Sequence, residues 1–369
     1  STGIVNTNTA PTTRSGLEIH QRFRAHLAEP DCSNADPRWK QHYARAPHRM
    51  ASHDDELMAV FGYVIDEFIK AGLPTEYALV PFIESRYNPS AKSNAGPAGL
   101  WQFIALTARN QGVVMRDGYD GRYSVVESTR AAVRYFKILH SMFGSNWRVA
   151  VMGYNAGEYR VIGAIKRSGQ NQRDADAARI AGVPAITRAY VEKLHAISCL
   201  IEEAEDRQGW LQALDRPIPI LNAERLDAEY PSLNHLAEAR ALDPKLLARL
   251  NPGLSSGRLR SGANAPKVLL PAQSGANTPG MASTAASQRP AAAGSGPASS
   301  STIAAGAVDG HTAQPGERGK RYTVQAGDSL WRVARRHGLS IAQLMRLNQL
   351  KPGSTLRPGM VLKLDEGPP

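Results

Sequence analysis

Cysteine is nearly missing from this sequence: Cys32 and Cys199 are the two it has. They lie far apart and share no metal-ligand spacing, which excludes a thiolate metal centre and a disulfide framework. Cys199 falls inside an apolar helical pattern, so a buried free thiol is expected. A disulfide, which an oxidising compartment would favour, is the alternative, and the sequence alone does not pair the two. Long apolar runs are also absent. None approaches the roughly 20 residues that cross a bilayer, which excludes a spanning helix. The aromatics, 7% of the chain, sit in apolar helical patterns, and no familiar nucleic-acid motif occurs. Nucleic acid is therefore not expected as a partner. The chain opens at Ser1 with neither an initiator methionine nor an apolar leader core. Any export signal is expected to have been removed, along with any segment that would tether the protein to a membrane.

What is present begins with size and charge. At 369 residues and 42% hydrophobic, the chain has room for one sizeable domain plus smaller modules. A formal net charge of +11 calls for a polyanionic partner. A carboxylate-bearing polymer satisfies that need as well as a membrane surface does.

Residues 1–51 are weakly patterned and are read as an N-terminal extension without a fold of its own. From Ser52, a candidate N-cap, Leu57, Val60, Phe61, Val64, Ile65 and Phe68 recur at helical spacing up to Gly72. A second helix opens near Thr75, should kink at Pro81, and must end by Asn88-Pro89. Two further apolar stripes run from Ala132 to Phe143, closed by Gly144, and from Tyr190 to Ile201 behind a candidate cap at Thr187. With no period-2 run to match these, residues 52–215 read as an all-α domain.

The remainder holds two similar stretches. In 320–365 a short β-type run, two helices and a closing strand follow in order. Gly327 and Gly338 mark the breaks, and Ser340 with Gln343 forms a capping box. A fainter copy occupies 222–272, where LLARLNPG parallels LMRLNQLKPG, but a leading YTVQAGDSL is missing. Between them, 273–319 is rich in Ala, Ser, Gly and Pro and reads as a flexible linker.

The segment PFIESRYNPSAKSNAGPAGLWQF, residues 81–103, carries the chemistry. Glu84 stands near a helix end among Phe82, Ile83 and Tyr87. A carboxyl group held against such surfaces is desolvated and stays protonated at higher pH, as a general acid requires. For an arbitrary Glu the solvated reading prevails; here the surroundings change the weighting. Gly96 and Gly99 let backbone approach a bound chain. Trp101 offers an aromatic plate, equally at home in a core, and Gln102 offers an amide. Asp117 and Asp120 are read as solvated turn formers.

The order Glu84-Ser85, Ser93, Gly99-Leu100-Trp101-Gln102, Tyr154-Asn155-Ala156-Gly157, Tyr190 resembles the lytic transglycosylase catalytic domain, a relative of goose-type lysozyme. Residues 321–364 resemble a LysM module, which binds N-acetylglucosamine-containing glycans. The resemblance implies a mainly α fold, with a lysozyme-like catalytic domain followed by small βααβ modules. It implies Glu84 as the single catalytic acid/base, with Ser93, Gln102, Tyr154, Asn155, Tyr190, Ser85 and Trp101 contacting substrate. For Ser85, bonding to backbone at a helix end is an equal alternative. No metal or cofactor is implied. The partner would be peptidoglycan glycan strands, acted on by a monomer in the periplasm or cell envelope. Two departures from the pattern stand out: Gly153 replaces the usual Ala, at about 1 kcal/mol of helix propensity, and Glu192 stands where Pro is common.

Hydrolytic glycosidases generally use two carboxylates, and the motif region offers one. The resemblance implies that the substrate supplies the nucleophile. The muramyl 6-hydroxyl would close on C1 to give a 1,6-anhydro end, with ring closure effectively unimolecular. The alternatives are a hydrolytic muramidase on the same scaffold and a non-catalytic wall-binding protein.

Overall fold

The computed structural model describes residues 10–116, 118–207, 209–274, 320–325, 328, 330–337, 339, 341–350 and 356–365. The stretch 275–319, most of the expected linker, lies outside them, as do Asp117, Gly327, Gly338 and Ser340. The expectation of a mainly α fold holds among the described residues. After a short strand, β1 (Thr13–Ser15), come α1 (Gly16–Ala25), α2 (Pro37–His42), α3 (Arg45–Ala51) and α4 (Leu57–Lys70). A 3₁₀ turn (Thr75–Leu79) leads directly into α5 (Val80–Glu84), followed by α6 (Ala105–Asn110). A small hairpin, β2 (Met115–Arg116) with β3 (Tyr119–Asp120), precedes α7 (Val125–Met142), α8 (Trp147–Ala156), α9 (Glu158–Arg167), α10 (Ala185–Ala204) and α11 (Trp210–Leu214).

The core explains this order. Phe61, Val64, Ile65 and Phe68 of α4 are all fully buried. Around them an aromatic column forms: Tyr77 stacks on Phe136 at 4.2 Å and Phe136 on Tyr154 at 4.7 Å. Each such side chain contributes about 2 kcal/mol by leaving water. Gly153 has a packing reason. A Cβ there would meet Leu139 at 3.0 Å and Phe143 at 3.1 Å, so glycine lets α8 lie close on α7.

Several sequence expectations need correction. Residues 13–51 are not an extension outside the helical domain but part of it, because Ile19, Phe23 and Met50 are fully buried in the main core. Arg14 and Arg22 also pair with Asp66 of α4, at 2.8 and 3.0 Å. The pattern was hidden because each helix is short and its apolar residues serve partners distant in sequence. Ser52 ends α3 rather than capping α4; the Leu57 N–H is accepted by Asp55 at 2.9 Å. Thr187 lies inside α10, which Pro184 precedes. Most plainly, the expected free thiol does not exist: Cys32 and Cys199 form a disulfide, with Cα atoms 5.5 Å apart. Burial of Cys199 in α10 was read correctly, but its partner comes from a loop no local pattern marks. His195 lies beside the pair; with the two sulfurs bonded to each other, this trio offers no metal site.

The C-terminal stretches show a repeated unit. β4 (Pro217–Pro219) returns to pair with β1, and then β5 (Leu221–Glu224), α12 (Leu233–Ala239), α13 (Pro244–Leu250) and β6 (Val268–Pro271) follow. β7 (Arg321–Thr323), α14 (Leu330–Arg336), α15 (Ile341–Leu347) and β8 (Val361–Lys363) have the same βααβ order. The fainter copy therefore does have a leading strand. One asparagine does the same work in both units. Asn251 donates to the carbonyls of Leu247 and Leu269 at 3.0 and 2.9 Å and accepts from the Leu269 N–H at 2.7 Å. Asn348 bridges Leu344 and Lys363 in the same way at 2.8, 2.9 and 2.7 Å. Each pins its second helix to the closing strand. The first unit docks on the helical body through Leu221, Leu250 and Leu269, which belong to the main core.

Candidate active site

Glu84 is the last residue of α5. Pro81 does not kink this helix, because it occupies the first turn, where the missing N–H has no partner to lose. The helix stops before Asn88-Pro89 because Arg86 and Tyr87 adopt left-handed backbone, at φ 53° and 60°. The Tyr87 hydroxyl then donates to the Ala78 carbonyl at 2.5 Å, sealing the turn against the preceding 3₁₀ segment. The Glu84 carboxyl is thus carried at a rigid corner.

From α10, the buried Tyr190 hydroxyl donates to Glu84 Oε1 at 2.6 Å. Burial lifts the Glu84 carboxyl above the usual carboxylate range, while the Tyr190 hydrogen bond and the Lys193 charge pull it back part of the way. Burial, then the Glu84 charge, holds the Tyr190 and Tyr154 hydroxyls well above their ordinary values. Both therefore remain neutral donors near Glu84. This is the electrostatic setting of a proton donor in a partly dry pocket.

The other motif residues divide into two groups. Ser93 is half-buried, and its hydroxyl accepts from the Ala95 N–H at 3.2 Å, rounding the loop. Asn155, half-buried at the end of α8, accepts from Thr187 Oγ1 at 2.8 Å, which fixes its amide towards α10. Gln102 sits in left-handed backbone at φ 50°, held there by its own amide, which donates to the Gly99 and Ala91 carbonyls at 2.8 and 3.2 Å.

Three residues expected at the substrate serve the scaffold. Trp101 is fully buried and donates to Thr129 Oγ1 at 3.1 Å, so it is core and not a sugar platform. Ser85 donates to the Leu100 carbonyl at 2.8 Å, tying the Glu84 corner to the Gly99–Gln102 loop. Tyr154 donates to the Trp101 carbonyl at 2.8 Å and stacks in the aromatic column. Gly99 is likewise a packing residue. At φ +79° it lies so close to the Arg122 carbonyl that a Cβ would meet that oxygen at 1.8 Å. Asp120 is bound to Arg122 at 2.8 Å. Desolvation opposes the effect of that pairing, yet its carboxyl stays below the usual range.

Two residues at the site escaped the sequence reading. Lys193 follows Tyr190 on the same face of α10, and i,i+3 spacing could have shown it. Tyr43, between α2 and α3, has a hydroxyl raised by burial and then by the Glu84 charge. It lay in the stretch given no fold, and nothing local marked it.

With this geometry in place, the chain can be compared with known proteins. Residues 69–177 match the family model "Transglycosylase SLT domain", and 322–365 match "LysM domain". Membrane-bound lytic murein transglycosylase D of Escherichia coli (strain K12) is 30% identical over 331 residues, covering 89% of this chain and 68% of that protein. Peptidoglycan transglycosylase gp16 of Escherichia phage T7 is 36% identical over 83 residues, 22% of this chain and 6% of that protein. Among solved structures, the 70 kDa soluble lytic transglycosylase SLT70 of Escherichia coli matches 47% of this chain at 20% identity and a TM-score of 0.35. The chain spans about a third of that structure, 32% of its length.

Proposed function

The chain belongs to the family of membrane-bound lytic murein transglycosylase D and is a peptidoglycan lytic transglycosylase, and from that premise we propose that Glu84 is the single acid/base of the reaction. The observation that carries this reading is the 2.6 Å hydrogen bond from Tyr190 to Glu84 within a desolvated corner. Burial keeps the carboxyl protonated to higher pH, and Tyr190 stabilises the carboxylate once the proton has left.

Glu84 gives its proton to the glycosidic oxygen between N-acetylmuramic acid and N-acetylglucosamine, and the C1–O bond breaks. The oxocarbenium-like C1 is stabilised with help from the substrate's own N-acetyl group. The Glu84 carboxylate then takes the proton of the muramyl 6-hydroxyl, whose oxygen bonds to C1. The strand ends in a 1,6-anhydro sugar, no water is consumed, and Glu84 is restored. A single carboxyl suffices because one group serves both steps. The binding of Asp120 to Arg122 supports this over a water-activating second carboxylate. Ser93 and Asn155 are assigned to the strand, Gln102 shapes the loop beside it, and the LysM unit adds affinity for glycan through effective concentration. The setting is the cell envelope, in the periplasm.

Mass analysis of products from purified sacculi tests the reading. Anhydro ends, lighter than reducing ends by one water, are expected. Glu84→Gln should lower turnover by ~10³-fold while sacculus binding is kept. Reducing ends would defeat the transglycosylase step, and full activity of the variant would remove Glu84 from its role.

A further inference from the structure

We propose that the first βααβ unit acts on the reaction itself, as a brace that sets the loop beside Glu84 through Arg122, an inference that rests on the reading that strands are cut at Glu84. The loop 91–103 carries Ser93 and Gln102, and its inner carbonyls are already held: Ser85 binds that of Leu100 and Tyr154 that of Trp101. Arg122 clasps the loop across Gly96 and Phe103. One terminal nitrogen of its guanidinium donates to those two carbonyls, at 2.9 and 3.1 Å, and the other nitrogens donate to Asp120. The Gly96 N–H in turn donates to the Ser93 carbonyl at 3.1 Å, so the fork reaches the turn that holds Ser93. The backbone of Arg122 sets the loop as well, since its carbonyl leaves no room for a side chain at Gly99. A planar fork with five donors makes all these bonds at once, and a lysine ammonium cannot.

The segment that carries Arg122 has its own support. Its 3₁₀ turn, Gly121–Tyr123, and β3 pack against a second 3₁₀ turn, Pro252–Leu254, which belongs to the βααβ unit. There a Cβ on Gly253 would meet Tyr123 at 3.4 Å and the Asp120 carbonyl at 3.5 Å, so a larger side chain pointing that way would push the segment aside. The turn is itself fixed. Asn251, directly before it, is buried and pins α13 to β6, while Leu250 and Leu269 belong to the main core. Arg249 adds a bond to Glu56, just ahead of α4, at 2.5 Å, and with Leu250 it lines the open cavity that Ile83 and Ser85 border. A glycan-binding module on a tether would need none of these contacts. A unit seated in this way passes a fixed position from the main core, by way of Asp120–Tyr123, to the loop next to the carboxyl group. Such positioning matters because a shift of about 1 Å in the groups that hold a substrate can cost on the order of 100-fold in rate.

Arg122 and Gly253 are therefore positioning residues, and a double-mutant cycle in the full chain tests them. On soluble glycan strands, Arg122→Gln should raise KM about 10-fold and lower kcat, and Gly253→Leu should raise KM about 3-fold. Loss of folded enzyme alone would lower kcat at unchanged KM, because the molecules that stay folded bind normally. In the double variant, Gly253→Leu should add nothing to the KM of Arg122→Gln, since the unit acts through that residue. Leu254→Ala, which empties the turn instead of crowding it, replaces Gly253→Leu if that variant does not fold. Unchanged KM in either single variant, or KM effects that multiply in the double, overturns the proposal. Failure of the underlying reading would look different: reducing ends from the wild-type enzyme, or full activity of Glu84→Gln, whatever the cycle gives.

Discussion

Glu76 and Glu84 stand at opposite ends of one short segment, a 3₁₀ turn that runs into a helix. Burial raises both carboxyl groups, yet their surroundings differ. Glu76 is fully buried, and its two oxygens accept from the N–H groups of Ala28 and Glu29 at 3.0 and 2.8 Å. The loop bearing those donors is locked by Cys32–Cys199 and by Glu29 paired with Arg148 at 2.8 Å. Glu84 is half-buried, holds one tyrosine hydroxyl, and lies between two residues that line an open cavity. A perturbed carboxyl group is therefore no sufficient mark of catalysis in this molecule. Access decides.

The largest expected effect tests the lock over Glu76. The Cys32–Cys199 bond closes a sequence separation of 167 residues. Its removal by Cys32→Ser, Cys199→Ser should lower stability by about 4 kcal/mol. Denaturant melts of the variant, compared with oxidised wild type, check this; equal midpoints would mean the bond is not what closes the loop. Next comes Glu76 itself, pushed up to about 7, first by burial, with backbone donors opposing it. Its folded value lies above its unfolded one. The stability it contributes is therefore whole below about pH 4.5 and is lost as pH rises towards 7, a change of about 3 kcal/mol. Glu76→Gln should flatten that slope while retaining turnover. A slope identical to wild type, or loss of activity in a folded variant, would erase the distinction between the two carboxyl groups.

The smallest effect sharpens the Glu84 side. Tyr190→Phe removes a donor that favours the carboxylate, so the acid form should persist to higher pH. The alkaline limb of kcat/KM should move up, and kcat should fall about 10-fold. A limb that moved down would mean that Tyr190 acts on something other than this carboxyl group.

Much of the helical body was legible, because α4, α7 and α10 each carry a long apolar face that local periodicity reveals. The stretch 13–51 was not, since its helices are short and owe their order to contacts with α4 and α10. At the site, the motif order located Glu84 and Tyr190 but could not separate groups facing the cleft from those facing the core. Trp101 and Ser85 were each left open between a substrate contact and a scaffold role, because the partners that decide it, Thr129 and the Leu100 carbonyl, belong to other elements.

By itself, the sequence determined the long helices, the likeness of the two C-terminal stretches and the order of the motif residues. These follow from backbone periodicity, capping and turn chemistry, which act over a few residues. Only the tertiary structure decided that Cys32 meets Cys199, that Arg249 reaches the cavity by Glu84, and that a hydroxyl 106 positions away touches the carboxyl group. Burial and electrostatics act through space between surfaces that the chain brings together only once it has folded.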